Sequence, residues 1–106
     1  MDLNQFYLTN DGRRLLARVQ AGELLTFTKV GLGEGEPISQ EFMEQMTGLV
    51  RPRDYFPIVE VRDKKDGTVA ISAVCDNKNV ETRYFIREVG VYAQDPIKGE
   101  ILFAVC

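Results

Sequence analysis

The sequence predicts an α+β fold: a mainly antiparallel sheet, with a strand meander in its C-terminal half, packed against a short N-terminal helix. Three observations carry this. One segment near the start spaces its apolar residues as a helix does, between a start and a stop signal. From residue 58 onward the chain is rich in alternating β-branched and aromatic residues. Turn signals, not further helices, separate the segments there.

The helix is read from "TNDGRRLLARVQAGE". Thr9 or Asn10 can cap it, because their side-chain oxygens accept a free N–H of the first turn. Asp11 suits the positive end of the helix dipole. Leu15, Leu16 and Val19 form one apolar stripe, and Arg13, Arg14 and Arg18 point elsewhere. Gly22 supplies the left-handed stop. "ELLTFTKVGLG" follows as a strand, with Leu25 and Phe27 on one face and Leu24, Thr26, Thr28 and Val30 on the other. The glycines at 31, 33 and 35 then mark a turn region, "GLGEGEP".

In "SQEFMEQMTG" a short helix is expected, capped by Ser39 and ended by Gly48, with Phe42, Met43 and Met46 at helical spacing. "LVRPRDYFP" holds two prolines and reads as an extended connection. Two strands, "PIVEVRD" and "TVAISAVCDN", flank an Asp66-Gly67 hairpin signal. "ETRYFIREVGVYA" forms a third strand of this group and "GEILFAVC" a fourth, after the turn "QDPIKG".

The chain has 106 residues, the size of one domain (1–106), and can bury a core without disulfide or metal staples. A formal charge of −3, mixed along the chain, lacks the basic field that nucleic acid needs, so no nucleic-acid partner is expected. No apolar run reaches membrane-spanning length, which argues against membrane insertion, and "MDLNQFYLTNDG" has no secretory h-region. Cys75 and Cys106 have no metal-ligand spacing; Cys75 reads as a small buried hydrophobe, and a disulfide between the two is not expected. A reducing, cytoplasmic site of synthesis follows. The sequence ends inside an apolar strand, so the expectation is the first part of a longer polypeptide.

There is no histidine. That removes Ser-His-Asp and Cys-His catalysis and the common His-containing zinc sites. "GLGEG" does not make a nucleotide loop, because position 36 is Glu where the dinucleotide fingerprint needs Gly, and Gly-Lys-Ser/Thr is absent. The sixteen carboxylates show no selected pair and no calcium loop, so they read as surface charge. No catalytic, cofactor-binding or metal-binding residue is assigned and no cofactor is expected. A carboxylate-dependent hydrolase of cell-wall glycans is the alternative from another class.

The stretch "YFIREVGVYA" sets Arg87 beside Glu88 in an apolar run. Strand neighbours point to opposite faces. Arg87 therefore shares a face with Phe85, Val89 and Val91, whereas Glu88 shares one with Tyr84, Ile86, Gly90 and Tyr92. The two charges do not form a dyad. Both faces are otherwise apolar, so this strand is expected to be covered on both sides, by the N-terminal helix and by a further layer. That layer is either the 38–57 segment or a second polypeptide. Each charge needs a partner, either within the chain (Asp63 or Arg62) or across a protein contact.

Three stretches resemble the N-terminal domain of bacteriophage tail-fibre proteins. A T-x-x-G-x-x-L-L-A helix (Thr9, Gly12, Leu15, Leu16, Ala17) leads to a strand closing on Val30, Gly31, Gly33 and Gly35. "LVRPRDYFPI" lies between. The segment from Phe85 through Ala93 follows, and then Leu102, Ala104 and Val105. The resemblance covers nearly the whole chain in order, and R-E-V-G-V-Y-A is its most specific part. The loop reads G-L-G-E-G in place of G-D-G, and 37–47 matches weakly. The resemblance implies a non-enzymatic structural protein of a phage, prophage or bacteriocin tail, located in the virion tail and anchoring a fibre to a baseplate protein. The fibre would be a homo-oligomer, a trimer at full length. The candidate partner face is Tyr84, Ile86, Glu88, Gly90 and Tyr92, with Phe85, Arg87, Val89 and Val91 turned inward.

Overall fold

The computed structural model describes residues 6–22, 25–37, 39–63, 69–74 and 85–106. The expected α+β class holds, with one six-stranded antiparallel sheet in the order β1-β6-β5-β2-β3-β4. Its strands are β1 (Tyr7–Leu8), β2 (Thr26–Gly33), β3 (Pro52–Asp63), β4 (Val69–Ala73), β5 (Glu88–Asp95) and β6 (Gly99–Val105). Helices α1 (Asn10–Gln20) and α2 (Gln40–Glu44) flank the sheet. The four C-terminal strands form two hairpins, β3–β4 and β5–β6, and β2 pairs between them with β3 on one side and β5 on the other.

Helix α1 begins where the sequence indicates. Thr9 is the cap, and its hydroxyl accepts the Gly12 N–H at 3.0 Å. The same hydroxyl donates to the Leu102 carbonyl, and the Thr9 N–H donates to the Phe103 carbonyl at 3.1 Å. One residue thus starts the helix and fastens it to β6. Gly22, at φ 112°, ends it in the left-handed region that a side chain disfavours. Leu15 is fully buried from α1, a burial that contributes about 2 kcal/mol. It lies among Ala93, Ile101, Phe103 and Ala104, with Leu8, Leu16, Val19, Leu25 and Phe27 around them. Phe27 and Phe103 meet edge to face at 5.4 Å between centroids.

A second core occupies the other face of the sheet: Met46, Leu49, Tyr92, Leu102 and Val105, with Met43 against them. A bulge between Val91 and Tyr92 lets both cores draw on β6, because it shifts the pairing and leaves Phe103 as the extra residue. Every residue from Glu88 to Ala93 is buried, so the strand is covered on both faces as expected. The cover on the second face is the chain's own α2 and the 45–49 segment.

Several boundaries differ from the sequence reading. β1 was not foreseen; it is two residues long and exists by pairing Tyr7 with Val105 and Leu8 with Ala104. Gly31 and Gly33 belong to β2 rather than to a turn. α2 is capped by Ser39 but ends at Glu44, short of Gly48. The "extended connection" is strand from Pro52 onward, and its prolines lie where a strand tolerates a missing N–H. Pro52 opens β3, and Pro57 is its last residue paired to β2, with β4 taking over from Ile58. β5 starts at Glu88, because its partner β2 ends at Gly33, opposite Glu88. The Asp66-Gly67 turn and Cys75 lie outside the described residues.

The far end of α1 is tied to the β5–β6 turn. Asp95 accepts the N–H groups of Ile97 (2.8 Å) and Lys98 (3.2 Å) and pairs with Arg18, while Lys98 reaches back to Asp11 at 2.7 Å. Burial pushes the Asp95 carboxyl up, but the two N–H groups and the Arg18 guanidinium outweigh it and hold the group below its usual 3.8.

Two outcomes follow from this seam. A Cβ on residue 12 would fall on the Phe103 carbonyl, so Gly12→Ala is expected to cost about 2–3 kcal/mol in chemical denaturation; an unchanged midpoint would contradict the close approach. Because the folded pKa of Asp95 is depressed, its stabilisation is complete above the unfolded value and lost as pH falls through the folded one. Stability should therefore drop below about pH 4, and Asp95→Asn should flatten that acid limb in pH-dependent melts.

Candidate functional site

The two charges singled out in the sequence have separate fates. Arg87 lies at the surface and pairs with Glu36 at 2.6 Å, both side chains at least half exposed. A pair so exposed contributes little. Glu88 has no exposed surface at all. Its carboxylate accepts three backbone N–H groups, from Val50 on one oxygen (2.8 Å) and from Arg51 (2.8 Å) and Gly35 (2.9 Å) on the other. Both charges find partners inside the chain, but these are neither Asp63 nor Arg62.

Glycine explains how the carboxylate fits. A Cβ on Gly33 would sit 2.5 Å from Glu88 Oε2, and one on Gly35 2.6 Å from the same atom. The glycine loop therefore makes room for an anion, and that anion is the protein's own. Three charge-assisted hydrogen bonds replace the water that burial removes. They tie together the end of β2, the segment entering β3 and the start of β5. The Arg87 N–H adds a bond to the Gly33 carbonyl (2.9 Å) and the Glu34 N–H one to the Arg51 carbonyl (3.1 Å).

The expected partner face is distributed as follows. Glu88, Gly90 and Tyr92 are buried by the chain itself, Ile86 is 41 % exposed, and Tyr84 lies outside the described residues. Gly90 is a close approach: a Cβ there would meet Leu102 and Leu49 at 2.8 and 2.9 Å. Tyr92 meets Tyr55 edge to face at 5.7 Å, and Lys29 lies 4.2 and 4.8 Å from the two ring centroids while pairing with Glu100 at 2.8 Å. Burial, then Tyr55, push the Tyr92 phenol far above its usual range against the opposing Leu49 N–H, so it stays protonated near neutrality. Of the residues expected to point inward, Val89 and Val91 do. Phe85 is 80 % exposed and Arg87 is at the surface, because the chain has left the sheet before Glu88.

What remains at the surface around the buried carboxylate is a mixed patch. Phe85, Ile86 and Val50 are exposed there. Arg51 and Arg53 share Glu34 at 2.8 and 3.6 Å, alongside the Arg87–Glu36 pair. Exposed apolar residues adjacent in sequence to paired charges match the composition of a protein contact, where aromatics and arginine are enriched. No set of three or more Cys, Asp or Glu able to hold a metal occurs among the described residues.

Replacing Glu88 with Ala would orphan three N–H groups, a cost on the order of 3 kcal/mol or more. Glu88→Gln, which keeps an acceptor oxygen, should lose less. Hydrogen exchange gives the specific readout: the amides of Gly35, Val50 and Arg51 should be protected in the parent and lose protection together in Glu88→Ala. Independent behaviour of the three would contradict a shared acceptor.

Comparison of the chain with protein-family models, with curated proteins and with solved structures returns no match.

Proposed function

We propose that this chain is a non-enzymatic attachment domain of a phage or prophage tail fibre, docking to a baseplate protein through the surface around Glu88. One observation carries the reading. The residues that bear the resemblance are remote in sequence, yet each completes another's environment. Thr9 and Gly12 of the helix motif meet the backbone of Leu102 and Phe103, at the L-x-A-V segment. Gly33 and Gly35 of the loop motif accommodate Glu88 of the R-E-V-G-V-Y-A motif. Motif residues that lock together in this way are what a shared scaffold requires, which supports reading the likeness as one of fold rather than of composition.

The contact surface is then Ile86 with Phe85 and Val50, rimmed by Arg51 and Arg87. Glu88 acts from beneath by fixing the loops that present them. A baseplate contact needs rigid presentation, since ordering a mobile loop on binding weakens affinity.

The reading is checked on particles. Antibodies raised against the 106-residue chain should decorate the baseplate end of purified tails from cells that carry its gene. Phe85→Asp, which alters an exposed side chain, should reduce particle association at least tenfold while the circular dichroism spectrum stays unchanged. Absence of the chain from purified tails would overturn the proposal.

A further inference from the structure

We propose that the face of β5 formed by Glu88, Gly90 and Tyr92 is a peptide-binding site. At rest it holds the chain's own Leu49-Val50-Arg51, and by exchange it takes a partner segment of the same chemistry: an extended stretch headed by leucine, with consecutive free N–H groups. The site does not depend on fibre attachment.

Residues 49–51 precede β3 and belong to no strand. Each of their backbone N–H groups is nonetheless taken by a side chain of β5. The Leu49 N–H goes to the Tyr92 phenol, and those of Val50 and Arg51 go to the Glu88 carboxylate, both at 2.8 Å. The Arg51 carbonyl accepts the Glu34 N–H at 3.1 Å. Side chains here read a backbone as a sheet edge reads an added strand. The leucine is read as well. Gly31 and Gly90 are partners across β2 and β5, so two missing side chains leave a pit in the sheet. A Cβ on Gly31 would meet one Leu49 methyl at 3.0 Å, and a Cβ on Gly90 the other at 2.9 Å. Leu49 is buried there, whereas Val50 is 48 % exposed and the Arg51 side chain 71 %. The first position therefore selects leucine, the third tolerates any side chain, and proline, lacking an N–H, is excluded from all of them.

The occupant is gripped at 49–51 and held lightly before it. Helix α2 is short and has no buried residue, and the surface pair Arg13–Glu44 at 2.8 Å fastens it to α1. From Ser39 to Gly48 only Met46 is buried, and a Cβ on Gly48 would meet nothing within 4 Å. Segments that bury so little open ahead of the sheet. When this one lifts, Glu88 loses two of its N–H groups and Tyr92 loses one, a costly state for a buried carboxylate. An incoming backbone that brings the same groups and a leucine removes that cost. The tether gives the resident segment an effective concentration of about millimolar. A free peptide therefore enters the parent poorly, whereas a partner segment held beside the domain competes on equal terms.

Titration with the peptide acetyl-Gly-Leu-Val-Arg-amide tests the exchange. The combined variant Leu49→Gly, Val50→Ser, Arg51→Gly empties the pit and alters no strand. It should bind the peptide saturably below about millimolar concentration, and the parent should bind it at least about tenfold more weakly. A peptide with N-methylvaline, which cannot donate to Glu88, and one with alanine in place of leucine should each lose about tenfold or more in affinity for the variant. A folded variant that takes up no peptide would overturn the proposal. So would equal binding by the parent, or by the N-methylated peptide. Should the variant fail to fold, the parent decides: excess peptide should speed hydrogen exchange at its own Val50 and Arg51 amides and leave β5 and β6 unchanged, and an undisturbed pair overturns the site equally. Particle association is read separately. A chain that exchanges its segment but is absent from tails keeps the groove and removes the fibre reading, and a tail-bound chain that takes no peptide does the reverse.

Discussion

A carboxylate without a cation organises one end of this molecule. Glu88 is enclosed, and what balances it is a set of three backbone N–H groups from two segments remote in sequence. An ionised group costs several kcal/mol to bury unless hydrogen bonds replace its water. The loops after β2 and before β3 are thereby committed to one arrangement, since any other leaves the anion bare. Gly33 and Gly35 are the counterpart of that commitment, because any side chain there would compete for the space of the carboxylate. The exposed charges nearby, Arg87 with Glu36 and the two arginines on Glu34, are screened by water and follow this arrangement rather than create it.

The middle of the sheet is fixed by a different means. β5 and β6 lie between two cores, one under α1 and one under α2 with its following segment. The bulge at Val91–Tyr92 supplies residues of the right phase to both, and its extra residue, Phe103, presents the carbonyl to which Thr9 donates and over which Gly12 closes. The seam between helix and sheet is thus backbone on backbone, and apolar burial of Leu15 follows from that close approach.

Periodicity carried much of this in the sequence. Thr9, the Leu15–Leu16–Val19 stripe and Gly22 marked α1, and the apolar run on both sides of Glu88 announced a strand covered twice. What periodicity cannot report is the partner of a given residue. Glu88 looked like a contact residue because an acid amid apolar neighbours needs a counterpart, and that counterpart is the main chain, which leaves no side-chain trace. Its one signature is the pair of glycines 53 and 55 positions away, legible only once β2 and β5 are known to be neighbours. The prolines of 52–57 misled for a similar reason: their effect depends on which edge of the strand is paired. Phe85 and Arg87 extend the alternation but lie past the point where β2 stops, so pattern alone overran the strand.

The handover at Pro57 has a consequence for how the molecule tolerates change. Among the described residues, none of β4 belongs to either core, so loosening of the β3–β4 ribbon propagates mainly to the strand it shares with the body. Cooperative unfolding units are bounded at such junctions. Sequence drift in the ribbon is then uncoupled from folding of the domain. A lineage could alter the ribbon there while the glycine-lined carboxylate, bound to its own rules, stays as it is.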